Sequence, residues 1–135
     1  MKHFELEPSM LTMSGVFYPT GYMVIMLPNE QDARAAGRKL QDSGITDEKM
    51  AMLSPEVIQE KIARTVGSSD IPLPSAGTEA DTVRRFAQLA SQGQWGLMIH
   101  APHGDETAQI METLKDCPMS YGQKYRQLVI EDLVD

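Results

Sequence analysis

The residues most able to do chemistry lie in one short stretch, His100-Ala101-Pro102-His103-Gly104-Asp105, which holds two imidazoles and a carboxylate. The stretch falls between an apolar segment and a helical pattern, and ligands often bind where a strand gives way to a helix. His100, His103 and Asp105 could bind a transition metal, although their spacing is not that of helical zinc motifs and a fourth ligand would be needed. We favour the structural alternative, in which Asp105 caps a helix, His103 is a solvated loop residue and His100 lies at the rim of a sheet.

A second candidate site is the start of a predicted helix at Gly77 and Thr78, with Arg84 and Arg85 further along the same helix. Free backbone amides and the helix dipole could hold a phosphate or a carboxylate there. No lysine follows the glycine, as a P-loop would require. Ordinary capping of the helix by Thr78 is therefore the favoured interpretation, and anion binding is the alternative.

A third candidate is the run from Tyr121 to Arg126, a small basic and aromatic cluster in an acidic protein. Such a cluster could contact an anion or the acidic edge of a partner. The more common explanation is a solvated strand face, and we favour that here.

Two apolar runs, 22–27 and 95–101, predict strands that are buried on both faces, and a proline follows each of them. Shorter strands are expected over 49–53 and within 124–131. Apolar residues at helical spacing predict four helices: one capped by Asn29 and stopped at Gly44, one opened by Ser54 and Pro55, one from Thr78 to Gly93, and one from Asp105 to Pro118. The predicted order of elements is β-α-β-α-α-β-α-β.

The two strong strands begin units that resemble each other. A shift of 74 positions aligns three pairs of residues: Pro28 with Pro102, Leu40 with Leu114, and Asp42 with Asp116. Two right-handed β-α-β units in one small domain give a four-stranded antiparallel sheet with helices on one face, the ferredoxin-like plan. We therefore predict an α+β, ferredoxin-like domain over 21–135 and an extended N-terminal arm over 1–20. The alternative is a coincidence between two ordinary β-α units.

The first strand predicts that the second face of the sheet is covered. Its residues are apolar at both odd and even positions, so neither face can be left to solvent. The cover could be a second subunit, the N-terminal stretch 11–18 or the loop over 67–77. Apolar sheet faces of small domains often pair about a two-fold axis, so we expect a homodimer through this face.

Composition limits the class of protein. The chain has 135 residues, which suits one domain. Its 12 basic and 19 acidic residues give a net charge of −7, which argues against binding to nucleic acid or to an anionic membrane. The start lacks the pattern of a secretory signal, no apolar run could span a membrane, and Cys117 is the only cysteine. These features favour the cytoplasm, a structural role for Cys117 and no cofactor.

Four stretches resemble the heat-induced general-stress domain of the YflT type: 21–44, 92–101, 106–114 and 130–133. The resemblance lies in the order and texture of the elements and extends over about residues 21–133. The first twenty residues and the loop around 70–75 depart from the family pattern. The resemblance implies a fold and an association with stress responses, and it implies no catalytic residues.

These observations lead to a hypothesis of a non-enzymatic, cytoplasmic, stress-associated interaction or regulatory module. The alternative is a small-molecule-binding protein or enzyme of the dimeric α+β barrel type. It would have a pocket between sheet and helices, with His100 as the acid-base residue. A third hypothesis is an anion-binding regulator that uses the helix start at Thr78.

Overall fold

A computed structural model describes residues 1–66, 77–127 and 129–134 of the chain, and this part is α+β, as predicted. The strands are β1 (Tyr22–Leu27), β2 (Met50–Leu53), β3 (Trp95–His100), β4 (Tyr121–Tyr125) and β5 (Ile130–Asp132). The α-helices are α1 (Glu30–Asp42), α2 (Pro55–Val57), α3 (Gly77–Ser91) and α4 (Gly104–Thr113), and α2 continues as a π-helix over Ile58–Ile62 and a 3-10 helix over Ala63–Val66. Among the described residues, no helix is both long and apolar enough to cross a membrane.

The sheet has five strands rather than the predicted four, in the order β2-β3-β1-β4-β5, and all neighbours are antiparallel. The last strand was predicted within 124–131, but that region contains the end of β4 and the start of β5. The Arg126 N–H, just after β4, donates to the Val129 carbonyl, just before β5, at 2.9 Å. Leu128, in the apolar centre of the predicted strand, lies outside the described residues. The polar sequence of β4 gave no apolar run by which to place it.

Helices cover both faces of the sheet, so the prediction of helices on one face is wrong. On one face, α1 and α4 pack against Met23, Ile25 and Leu27 of β1. On the other face, α3 and the segment 55–66 pack against Val24 and Met26. The cause is visible in the sequence, because β1 is apolar at both odd and even positions, and its residues 23–27 are fully buried.

The first twenty residues help to cover the second face. Phe17 is fully buried, and its ring meets those of Phe4 and Tyr125 edge to face at 6.3 and 6.0 Å. Met10 and Val16 are buried in the same cluster. In the described residues, part of this sheet face is therefore covered by the N-terminal segment of the chain itself. The homodimer stays a prediction, but it would need another surface.

Helix α1 begins and ends as the sequence predicts. The Asp32 N–H donates to the side chain of Asn29 at 2.9 Å, which is the predicted cap. Glu30 and Arg34 form the i, i+4 ion pair at 2.7 Å. After the helix, Gly44 has a φ of +104°, a conformation that glycine adopts without strain.

Candidate functional site

The predicted site residue His100 ends β3 at one end of the sheet, directly opposite Tyr22 at the start of β1. The two rings lie 4.7 Å apart at an angle of 49°. Gly21, with a φ of +87°, makes this junction because its N–H donates to the Tyr125 carbonyl and its carbonyl accepts from Ala101. A Cβ at Gly21 would lie 3.6 Å from His100 Nε2, so the imidazole packs against the turn.

The charge of His100 is set by its surroundings. Burial is the main cause that lowers the pKa of the imidazole, and the charge of Lys49 lowers it further. Lys2 and Lys124 act in the same direction, whereas Glu106 opposes them. The neutral imidazole is therefore favoured more strongly than in a solvated histidine.

His103 and Asp105 are exposed and belong to the start of α4. The prediction that Asp105 caps this helix is wrong: the helix starts at Gly104, His103 is the N-cap, and its N–H donates to Glu106 Oε1 at 3.1 Å. Within the ranges that the structure describes, which include His100, no three His, Cys, Asp or Glu side chains are arranged to hold a metal ion. His100, His103 and Asp105 therefore do not form a metal cluster here.

Lys124 is a buried charged group that the sequence did not single out individually. Its side chain is 4% exposed, and its Nζ donates to the Ala101 carbonyl and, at 2.6 Å, to Thr107 Oγ1. It thereby fastens β4 to the β3–α4 junction. Burial lowers the pKa of the Lys124 amine, and the charge of Glu131 is the largest opposing influence. No local pattern marks this lysine, because its burial depends on α4 packing over β4.

The predicted solvated strand face over 121–126 is wrong, since residues 122–125 are buried. Tyr121 packs against Phe86 of α3, with ring centroids 5.5 Å apart, and the Arg85 guanidinium lies 5.8 Å from the Tyr121 ring centre. Burial raises the pKa of Tyr125, whose hydroxyl has no hydrogen-bond partner within the described part of the chain. Tyr121 therefore packs α3 against the sheet, whereas Tyr125 packs against aromatic rings of the N-terminal segment.

The predicted anion site is only partly assembled. Helix α3 already includes Gly77, so the prediction that Thr78 caps this helix is wrong, and the Thr78 carbonyl accepts a hydrogen bond from Thr82 at 2.8 Å. Arg84 pairs with Asp81 at 3.0 Å, and the Arg85 guanidinium lies over the Tyr121 ring. Both guanidinium groups are thus engaged along the helix and do not join the backbone amides at its start. The loop that precedes Gly77 falls outside the described residues.

A small cavity of about 90 Å³ lies between the N-terminal segment and the sheet. It is lined by Tyr22, Ala51 and Met98 from the sheet and by residues 2–5, 7 and 10 from the segment. We call it the N-terminal cavity. A small-molecule-binding protein or enzyme of the dimeric α+β barrel type was expected to have a pocket between the sheet and the helices. The N-terminal cavity lies instead beneath the N-terminal segment and beside the Tyr22–His100 pair.

Two grooves that share Tyr18 and Glu79 form a second concave region, with volumes of about 440 and 290 Å³. We call this region the Tyr18 groove and define it by six of its residues: Leu11, Met13, Tyr18, Glu79, Val129 and Ile130. Met13 is fully exposed and Val129 is 59% exposed, and they are the two large apolar side chains so exposed in the described part of the chain. The sequence could not reveal this surface, because its members come from three distant segments.

Comparison of the chain with protein-family models, with curated proteins and with solved structures found no match. The resemblance to the YflT type therefore stays a prediction.

Proposed function

We propose that the protein is a non-catalytic interaction module that binds a partner at the Tyr18 groove. The observation that carries this proposal is the position of Met13 and Val129. Both exposed apolar side chains border the same concave region, although single exposed apolar residues are normally scattered over a surface. A partner that buried them would remove their apolar area from water.

The charge of the groove defines the partner. Among the described residues that line it, Glu79 is the only one with a charged side chain, and the others carry apolar, hydroxyl or amide groups. The pKa of the Tyr18 phenol is raised mainly by burial and further by the negative charge of Glu79. A complementary partner segment therefore carries an apolar anchor next to a lysine or an arginine. The net charge of −7 favours such a partner and disfavours a second copy of the chain.

We also propose a fold type for the sheet that carries the groove. We interpret the sheet as a ferredoxin-like one to which β5 has been added. In support, β3 lies between β1 and β2, and β1 lies between β3 and β4, so the two β-α-β units interleave. Leu40 and Leu114, which the 74-position shift aligns, are both fully buried in one cluster. We further propose that the protein is produced in response to stress and is located in the cytoplasm.

A peptide-display selection on the purified protein tests the proposed function. We expect the selected peptides to combine Leu, Ile or Phe with an adjacent Lys or Arg. Their affinity should fall about fivefold to tenfold in Met13→Ser and in Val129→Ser, because each change removes apolar area from the contact. Glu79→Gln should reduce the preference for basic over neutral peptides while leaving the apolar anchor.

The matched control is Glu60→Gln, which removes one carboxylate from an exposed position outside the groove. Its peptide affinity should stay close to that of the unchanged protein. Peptides without a basic residue, or affinities that Met13→Ser and Val129→Ser leave unchanged, would show that the groove is not the docking surface.

A further inference from the structure

The N-terminal cavity has polar groups at its edge that are not engaged elsewhere. Lys2, His3, Glu5 and Glu7 line it, and none of their side chains makes a hydrogen bond or an ion pair with another residue in the described part of the chain. The segment is tied to the sheet through its backbone instead, since the Lys2 N–H donates to the Met50 carbonyl at 3.0 Å. The four side chains are exposed and free to meet a ligand.

The rest of the lining is apolar and soft. Tyr22 and Phe4 contribute aromatic rings, and Met10 and Met98 contribute thioethers. Aromatic faces attract organic cations, and polarisable sulfur atoms adapt to irregular shapes. A volume of about 90 Å³ is too small for a drug-sized molecule but suits a compact head group.

The charges at the edge favour a cation over an anion. Two carboxylates, Glu5 and Glu7, stand against the single ammonium of Lys2, and the net charge of the whole chain is −7. Carboxylates and aromatic rings together form the environment in which proteins bind alkylammonium groups.

We infer that the N-terminal cavity is a binding site for a small organic ammonium ion. The alkyl groups contact Tyr22, Phe4 and the two methionines, and the positive charge is balanced by Glu5 and Glu7. This site is separate from the Tyr18 groove, and the two share no lining residue. Failure of one proposal therefore leaves the other standing.

The test uses choline chloride and its neutral isostere, in which a carbon atom replaces the ammonium nitrogen. Backbone amide shifts of the intact protein are followed by NMR at constant ionic strength, because bulk salt screens exposed charges. We expect choline to shift the amides of Tyr22, Ala51 and Met98 with saturation in the millimolar range. The neutral isostere should bind about fivefold more weakly or not at all, because the positive charge supplies the specificity.

Substitutions that remove one charge should change the affinity for choline in opposite directions for negative and positive side chains. Glu5→Gln and Glu7→Gln should each weaken choline binding about threefold to fivefold, and Lys2→Gln should strengthen it by a similar factor. All three positions are exposed, so these changes leave the core intact. Glu60→Gln removes the same charge elsewhere and should have no effect.

Four results would overturn the inference. Equal binding of choline and its isostere would indicate a purely apolar cavity. Equal losses in Glu5→Gln and Glu60→Gln would indicate attraction to the net charge alone. Tighter binding of acetate than of choline, or no shift with choline at tens of millimolar, would also refute a site for organic cations.

Discussion

The imidazole of His100 gives the protein a predictable response to acid. Burial and the charge of Lys49 lower its pKa below the value of about 6.5 for an unfolded histidine. Between these two pKa values, the unfolded chain binds a proton that the folded chain does not bind. The free energy of unfolding therefore falls as the pH falls through this window, and this contribution is fully present above pH 6.5.

We expect His100→Asn to reduce the loss of stability between pH 7 and pH 5. The measurement is urea unfolding of the protein and the variant at both pH values. His103→Asn is the matched control, because it also removes a histidine but from an exposed helix cap that asparagine can serve. If both variants lose stability with acid just as the unchanged protein does, His100 does not titrate in the way described.

The buried amine of Lys124 makes a second prediction at the residue scale. Lys124→Met keeps most of the apolar stem but removes the amine that donates to the Ala101 carbonyl and to Thr107 Oγ1, and the carbonyl keeps a longer hydrogen bond, 3.4 Å, from the Thr107 hydroxyl. A hydrogen bond to a charged group is worth about 1.5–3 kcal/mol. We expect a loss of stability in this range in urea unfolding.

A double-mutant cycle identifies the contact. Thr107→Val alone should also destabilise the protein, and the double variant should lose less than the two single losses together, because both changes remove one shared contact. Strict additivity would mean that Lys124 and Thr107 do not interact in solution.

The sequence predicts the role of a residue when that residue contacts its near neighbours along the chain. The cap at Asn29 and the ion pair of Glu30 with Arg34 depend on neighbours along the chain, so they were predictable. Lys124 was not, because its two acceptors lie on segments far from it in the sequence. The site roles of His100, His103 and Asp105 stay predictions, although the structure shows that these three do not form a metal cluster.

At the scale of elements, the N-terminal segment shows where sequence patterns stop being informative. The apolar residues of β1 and β3 form continuous runs and predict strands directly. Residues 1–20 have no regular period, and only the doubly apolar β1 indicated that something must cover the sheet. The packing of Phe17 shows that the N-terminal stretch contributes to this cover, whereas residues 67–76 of the loop lie outside the described residues.

We expect Phe17→Ala to destabilise the protein by about 3–5 kcal/mol, the usual cost of truncating a buried phenylalanine. Met13→Ala, four residues earlier and fully exposed, should cost less than about 0.5 kcal/mol. Urea unfolding of the two variants makes the comparison. Equal and small losses would mean that the first twenty residues are a dispensable arm.

At the scale of the whole molecule, the apolar surface of the sheet is largely enclosed by a single chain. Side chains on both faces of β1 are fully buried, and the net charge of −7 opposes the approach of a second copy. The homodimer stays a prediction, through a surface other than this part of the sheet, and we expect sedimentation equilibrium at micromolar concentration to give twice the mass of one chain, 15.0 kDa. The mass of a single chain would refute it.

Cross-linking from Met13 tests directly whether the Tyr18 groove binds a partner. A photoreactive phenylalanine derivative is placed at position 13, or at the control position Glu60, in the chain produced in its own cells. We expect discrete adducts from position 13 that are absent from position 60 and that disappear when Val129→Ser and Glu79→Gln are added. Adducts that form equally from both positions, or that persist with those two changes, would show that the groove does not bind a partner.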